Sequence, residues 1–173
     1  AGLHQECILH DHVMVLCSPD YRDRLREVSD NPAEQIAQAR LIHSVKALYQ
    51  WDLWLAVQGI EPSDQQAPLR FDRSSMAIQL ALDGMGVVLD SVTLAHEELQ
   101  RGTLVPLSTA FEVVQFPAYW MVCPDRHMNR RIVRLFMDWL RATGAEFQAS
   151  ALHLVAELGC RVRLAAAGEP GLL

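Results

Sequence analysis

The stretch LRFDRSSMAIQLALDGMGVVLD, Leu69 to Asp90, decides how this chain is read. It begins with a short apolar approach, LRF, that fits a strand. Asp72, Ser74 and Ser75 follow, the residue types that start helices. Met76, Ala77, Leu80 and Ala81 then recur at helical spacing and predict a helix from about Ser74 to Asp83. Gly84 ends that helix, and GVVLDS is a second buried strand. A helix that starts directly after a strand points unpaired N–H groups at the strand ends, where open α/β sheets bind ligands. Either a hydroxyl caps this helix, worth ~1 kcal/mol, or it faces a ligand, ideally a carboxylate or another acceptor. Asp72 would repel an anion, so it is assigned a structural hydrogen bond. Gly84 and Gly86 follow the helix instead of opening one, which argues against a dinucleotide fingerprint.

The same alternation runs through the chain. HVMVLCSP (His12 to Pro19) predicts a strand and a turn, and PDYRDRLREV a helix with Pro19 in its first turn. Asp30 or Asn31 caps a second helix that has Pro32 at its first position. A short strand is expected in ARLIHS. In YQWDLWLAVQGI, residues Trp51, Trp54, Leu55 and Val57 share one helix face, and Gly59 closes it. VTLAHEELQRG reads as an amphipathic helix, LVPL and FEVVQFPAYWMVCP as strands. NRRIVRLFMDWLRATG is the final helix, with Ile132, Leu135, Phe136, Trp139 and Leu140 on one face. Residues after about Phe147 form an Ala-rich tail that this pattern does not place. Alternating strands and helices predict an α/β class with mostly parallel strands.

Composition narrows the function classes. Of the 173 residues 50% are hydrophobic and 21% charged, the profile of a globular core. A net charge of -6 argues against gripping a nucleic-acid backbone directly. No apolar run reaches the ~18 residues of a membrane span. The start, AGLHQECILH, has neither a Met nor a signal-peptide pattern, so a fragment is expected. Cys7, Cys17, Cys123 and Cys160 form no C-x-x-C pair and are expected as free thiols of a reducing cytoplasm. His4, His10 and His12 lack metal-ligand spacing and read as surface residues. Ser18 has no nucleophile-elbow context. Asp52, Glu97 and Glu98 read as solvated, as do the arginines around the last helix. No nucleophile–base–orienter set is visible, so an enzyme on this scaffold is the least favoured reading. Neither a cofactor nor a metal is expected.

Several segments together resemble one family. VMVLCSPDY, LIHSVKALYQWDLWLAVQGI, LRFDRSSMAIQLALDGMGVVLDSVTLAHEELQRGTLVPL, AYWMVCP and VRLFMDWL resemble, in order and spacing, the effector-binding domain of LysR-type transcriptional regulators. The resemblance is to the branch of the glycine-cleavage and β-lactamase activators, over roughly Cys7 to Phe147. It implies a periplasmic-binding-protein-like fold of two α/β lobes around an effector cleft. The second lobe is nearly whole and the first incomplete. On that reading residues 1–18 end the first lobe and supply the first crossover strand. Residues 19–117 are the second lobe, 118–147 the return crossover and the last first-lobe helix, and 148–173 a tail of unassigned structure.

The resemblance implies effector contacts at the turn Phe71, Asp72, Ser74 and Ser75, at His43 and Ser44 after the preceding strand, and at Tyr119 in the returning crossover. Trp51 is expected to wall the apolar side. The implied function is sensing of a small-molecule effector, a carboxylate-bearing one among the candidates, to control transcription. The implied assembly is a cytoplasmic homo-oligomer. DNA would be reached only through an N-terminal winged helix-turn-helix absent from this sequence. The alternative is a stand-alone solute-binding module of the same fold.

Overall fold

The structure is a computed structural model and describes residues 2–63, 67–166 and 169. Strand β1 spans Leu3–Cys17 and is followed by helices α1 (Pro19–Val28) and α2 (Pro32–Gln38). Then come β2 (Leu41–Ser44), α3 (Trp51–Gln58), β3 (Leu69–Phe71), α4 (Ser74–Leu82), β4 (Val87–Ser91) and α5 (His96–Arg101). The chain continues through β5 (Val105–Pro106), β6 (Val113–Pro124), a 3-10 turn at Asp125–His127, α6 (Arg131–Glu157) and β7 (Val162–Leu164).

Local chemistry sets the helix ends. Ser18 Oγ accepts the Tyr21 N–H at 3.3 Å, and Pro19 opens α1. Asn31, not Asp30, caps α2 through the Ala33 N–H at 3.0 Å. After α4, Gly84 takes φ +70°, and the amides of Gly84 and Met85 return to the carbonyls of Ala81 and Leu80. The α4 face that is buried is Ala77, Ile78 and Ala81; Met76 is exposed. On α3 the buried set is Trp51, Trp54 and Leu55, while Val57 faces solvent. Helix α5 begins only at His96, because Val92 and Ala95 first turn into the core.

Seven strands among the described residues form one sheet, ordered β3-β2-β4-β1-β6-β7 with β5 also on β1. The sheet is mixed, which corrects the mostly parallel expectation. Strands β2, β3 and β4 are mutually parallel, as are β6 and β7. Strand β1 runs antiparallel to β4, β5 and β6. The cause is the long β1–β6 ladder, from Leu3 opposite Pro124 to Val13 opposite Val114. A strand carrying the chain one way and its neighbour carrying it back must oppose each other. The ladder breaks register around Leu9, where Pro117 opposite His10 brings no N–H.

Strand alternation divides the core in two. Val13, Val15 and Cys17 of β1, with Val87 and Leu89 of β4, meet Tyr21, Ile36, Trp51, Trp54 and Phe116. Met14, Leu16 and Val88 meet Ala77 and Ala81 of α4, Leu99 of α5, and Ala151, Leu154 and Val155 of α6. Helices α1–α3 thus cover one face, and α4, α5 and the far end of α6 the other.

The tail is part of this architecture. Helix α6 does not stop at Gly144 but continues to Glu157, and β7 then joins β6. Arg163 of β7 donates to Tyr49 Oη and to Glu169, both at 3.0 Å. The near half of α6 is held by Arg141, whose guanidinium donates two 2.8 Å bonds to Glu6. That pairing brings the Glu6 carboxyl down to about 2. Gly144 lets α6 approach β1: a Cβ there would lie 2.7 Å from Ile8 O and Ile8 Cγ2. Gly144→Ala therefore reverses the usual sign. An unobstructed helix interior gains ~1 kcal/mol from Ala over Gly, whereas here a loss of about 1–3 kcal/mol is expected in urea unfolding.

Candidate cleft at the strand ends

The carboxyl ends of β2, β3 and β4 open on one side of the sheet. A cavity of about 200 Å³ lies there, between these ends, the start of α4 and the β1–β6 pair. Its walls include Val13, Tyr49 and Phe116, and its polar groups come from Asp11, Lys46, Ser74, Asp90, Ser91 and Tyr119.

Helix α4 enters this site without a side-chain cap. Arg73 occupies the capping position and bonds no first-turn amide through its side chain. The amides of Met76 and Ala77 reach Arg73 O, and those of Ser74 and Ser75 have no partner among the described residues. None of Asp72, Ser74 and Ser75 caps α4 through its side chain. Ser74 is half-buried at the cavity and Ser75 is exposed. Asp72 is exposed and makes no side-chain hydrogen bond among the described residues, contrary to its expected structural role.

Two buried carboxylates lie at the floor. Asp90, next to last in β4, is only 3% exposed, and its oxygens accept from the Ser91 N–H at 2.8 Å and the Ser44 hydroxyl at 2.5 Å. Asp11 is 9% exposed, and its Oδ1 accepts from the Ser91 hydroxyl at 2.5 Å and the His12 N–H at 2.8 Å. Burial pushes the Asp11 carboxyl up; its two hydrogen bonds oppose this, and the charge of Asp90 adds to it. The Tyr119 phenol is also pushed up, first by burial and then by Asp11 and Asp90.

The residues singled out from sequence do not all meet here. Ser74 and Tyr119 line the cavity, and Ser44 reaches it through Asp90. Phe71 packs against the α4-side core. His43 borders a different cavity of about 230 Å³, with Asp52 and Arg70, and its imidazole is pushed down by burial and then by Arg70. Trp51 is a core residue, 2% exposed, with its indole N–H on Ile42 O at 2.9 Å, and so does not wall the cleft. A larger hollow of about 400 Å³, beside Arg24, Arg40 and Gly84, lies at the opposite, amino ends of β2 and β4. Sheets of this kind place ligands at carboxyl ends, which favours the smaller cavity.

Sequence reading missed Asp11, Lys46, Asp90 and Ser91. A signal existed for one pair: Asp90 and Ser91 end the apolar run GVVLDS with polar groups where a buried strand meets its loop. Among the described residues no three His, Cys, Asp or Glu side chains converge as metal ligands, the three early histidines included. The four cysteines are free, Cys17 and Cys160 buried, and burial pushes the Cys17 thiol up to about 12. No helix among the described residues is long and apolar enough to cross a membrane.

A mixed α/β sheet clad on both faces and carrying two long antiparallel strands has the architecture of one lobe, with its crossovers, of a periplasmic-binding-protein-like fold. The family profile described as the LysR substrate binding domain matches residues 1–145, and the chain belongs to that family. It is 36% identical over 126 residues to the HTH-type transcriptional regulator PerR of Escherichia coli K12, covering 72% of this chain and 40% of that protein. It is 28% identical over 152 residues to the glycine cleavage system transcriptional activator of the same organism, covering 85% and 47%. The chain thus spans less than half the length of these relatives. The effector domain of AmpR from Pseudomonas aeruginosa shares the fold, with TM-score 0.67 and 22% identity over 87% of this chain and 70% of that one.

Proposed function

We propose that this chain is the effector-sensing part of a LysR-type transcriptional regulator and that its effector enters the cavity at the strand ends. The observation that carries this is the start of α4, which has no side-chain cap and whose first residue, Ser74, lines a cavity that also has Asp11, Asp90 and Tyr119 in its wall. Ser74 and Tyr119 hold the effector, Ser75 adds a donor at the helix start, and Ser44 fixes Asp90. Phe71 and His43 support the strand ends from outside the cavity. The relatives are transcriptional regulators roughly twice as long, which supports DNA contact through a winged helix-turn-helix on the remainder of a full-length homo-oligomer.

The division of the chain into lobes belongs to the same reading. Ile132, Leu135, Phe136 and Trp139 of α6 and Trp120 and Val122 of β6 are exposed, and the Phe136 and Trp139 rings stack at 5.7 Å. Such a patch is the face on which the rest of the first lobe packs in the longer protein. Effector binding biases the arrangement of lobes and subunits, and each tenfold bias needs ~1.4 kcal/mol of differential affinity.

The test is made in the full-length regulator. Ser74→Ala combined with Tyr119→Phe is expected to weaken the effector-dependent transcriptional response at least tenfold and to leave DNA affinity unchanged. Equal loss of both, or loss of neither, overturns the assignment of this cavity.

A further inference from the structure

We propose that the ligand of this cavity carries a primary ammonium group, which docks on Asp11 and Asp90, and an anionic group, which faces Lys46 and the start of α4. The inference deepens the effector reading above and rests on it. The ligand class is a small, amino-acid-like zwitterion.

The first observation is an incomplete set of hydrogen bonds. Asp90 uses both oxygens. Asp11 takes its two bonds on Oδ1 alone, and its Oδ2 has no partner among the described residues. Asp11 is nevertheless nine-tenths buried and lines the cavity. A buried carboxylate is costly unless it is both paired and hydrogen-bonded. Here no Lys, Arg or His within the described residues forms an ion pair with Asp11 or Asp90. The cation missing from this site is thus one that a ligand can bring.

The second observation is the arrangement of charge. Asp11, Asp90 and Tyr119 line the cavity together with Lys46 and with Ser74, the first residue of α4. A pure anion would meet Asp11 and Asp90, and a pure cation would meet Lys46. A molecule with both charges satisfies each end. An ammonium has three donors, which suits acceptors at Asp11 Oδ2 and Tyr119 Oη. A bare metal ion suits the site less, because no third acidic or imidazole ligand joins the two carboxylates among the described residues. The volume of about 200 Å³ lies below the ~300–1,000 Å³ of drug-sized sites, so the ligand is small.

The experiment uses the full-length protein and calorimetric titration with the twenty common L-α-amino acids, each beside its N-acetyl derivative and its decarboxylated amine. At least one free amino acid is expected to bind, with affinity falling at least 30-fold on N-acetylation and at least tenfold on decarboxylation. Asp11→Asn is expected to lose at least 30-fold in affinity while its unliganded melting temperature stays level or rises, because Asn keeps the Oδ1 acceptor and removes a buried charge. The acetylation comparison uses the unaltered protein and so holds whatever Asp11→Asn does to folding. N-acetyl derivatives that bind as well as the free amino acids overturn the ammonium proposal and leave the cavity reading standing. Absence of binding by every free amino acid also overturns it, and the cavity reading is then judged by the response of the Ser74→Ala, Tyr119→Phe protein.

Discussion

Trp51→Ala is expected to lower the unfolding free energy by about 3–5 kcal/mol, the range for removing a large aromatic from a core. Trp51 sits at the first position of α3 and is almost wholly buried beneath the sheet. Three losses coincide. The apolar area of the ring is no longer removed from water. The edge-on contact with Trp54, at 5.5 Å, disappears, and Trp54 in turn leans on Phe111 at 5.0 Å. The Ile42 carbonyl loses its 2.9 Å indole donor in the middle of a buried strand. Against a typical domain stability of ~5–15 kcal/mol, this is a large fraction. Urea titration followed by circular dichroism reads it directly. Trp51→Phe retains most of the ring but not the donor, and is expected at about 1–3 kcal/mol. A loss under 1 kcal/mol for Trp51→Ala contradicts its place in the core.

Gly86→Ala is expected to be the next most damaging change, at about 2–4 kcal/mol. Nothing about left-handed backbone is involved. A Cβ at Gly86 would lie 2.4 Å from the Arg40 carbonyl oxygen and 3.1 Å from Ile42 Cγ1. That carbonyl accepts the Val87 N–H at 2.9 Å, the bond that starts the β2–β4 pairing. Relief of the clash requires the two strand starts to separate, so steric strain is joined by a lost hydrogen bond. Amide exchange distinguishes this from general loosening: Val87 loses protection before Val88 and Leu89. Equal loss of protection at all three would indicate general loosening instead, and wild-type stability would show that the strands accommodate the methyl group.

The helices of this fold are legible because their signals are local. Ser18-Pro19, Asn31-Pro32 and Gly84 mark ends that the structure keeps. Strand direction was not legible. HVMVLC and VVQF read alike whether their neighbour runs with or against them, and only the long pairing of β1 with β6 decides it. The continuation of α6 past Gly144 was hidden because glycine reads as a terminator, whereas here its missing side chain makes room for Ile8. In the cleft, Ser74 stood out by its place between strand and helix. Asp11 did not: it is one polar residue in HDHV, and its meaning comes from Ser91 and Asp90, about eighty positions away. Trp51 erred the other way: its helix face reads as core, which the structure keeps, and its assignment to the cleft wall set that spacing aside.

Helix α6 has 27 residues and spans roughly 40 Å. It is a beam resting on a fulcrum, with Gly144 seated against Ile8 where the β1–β6 ladder changes register. One arm carries Phe136 and Trp139 in the open; the other ends at Leu154 and Val155, inside the apolar cluster that holds α4. Unbroken helical hydrogen bonding gives the beam no joint at which a tilt could dissipate. A load placed on the aromatic arm is therefore balanced by the packing under α4.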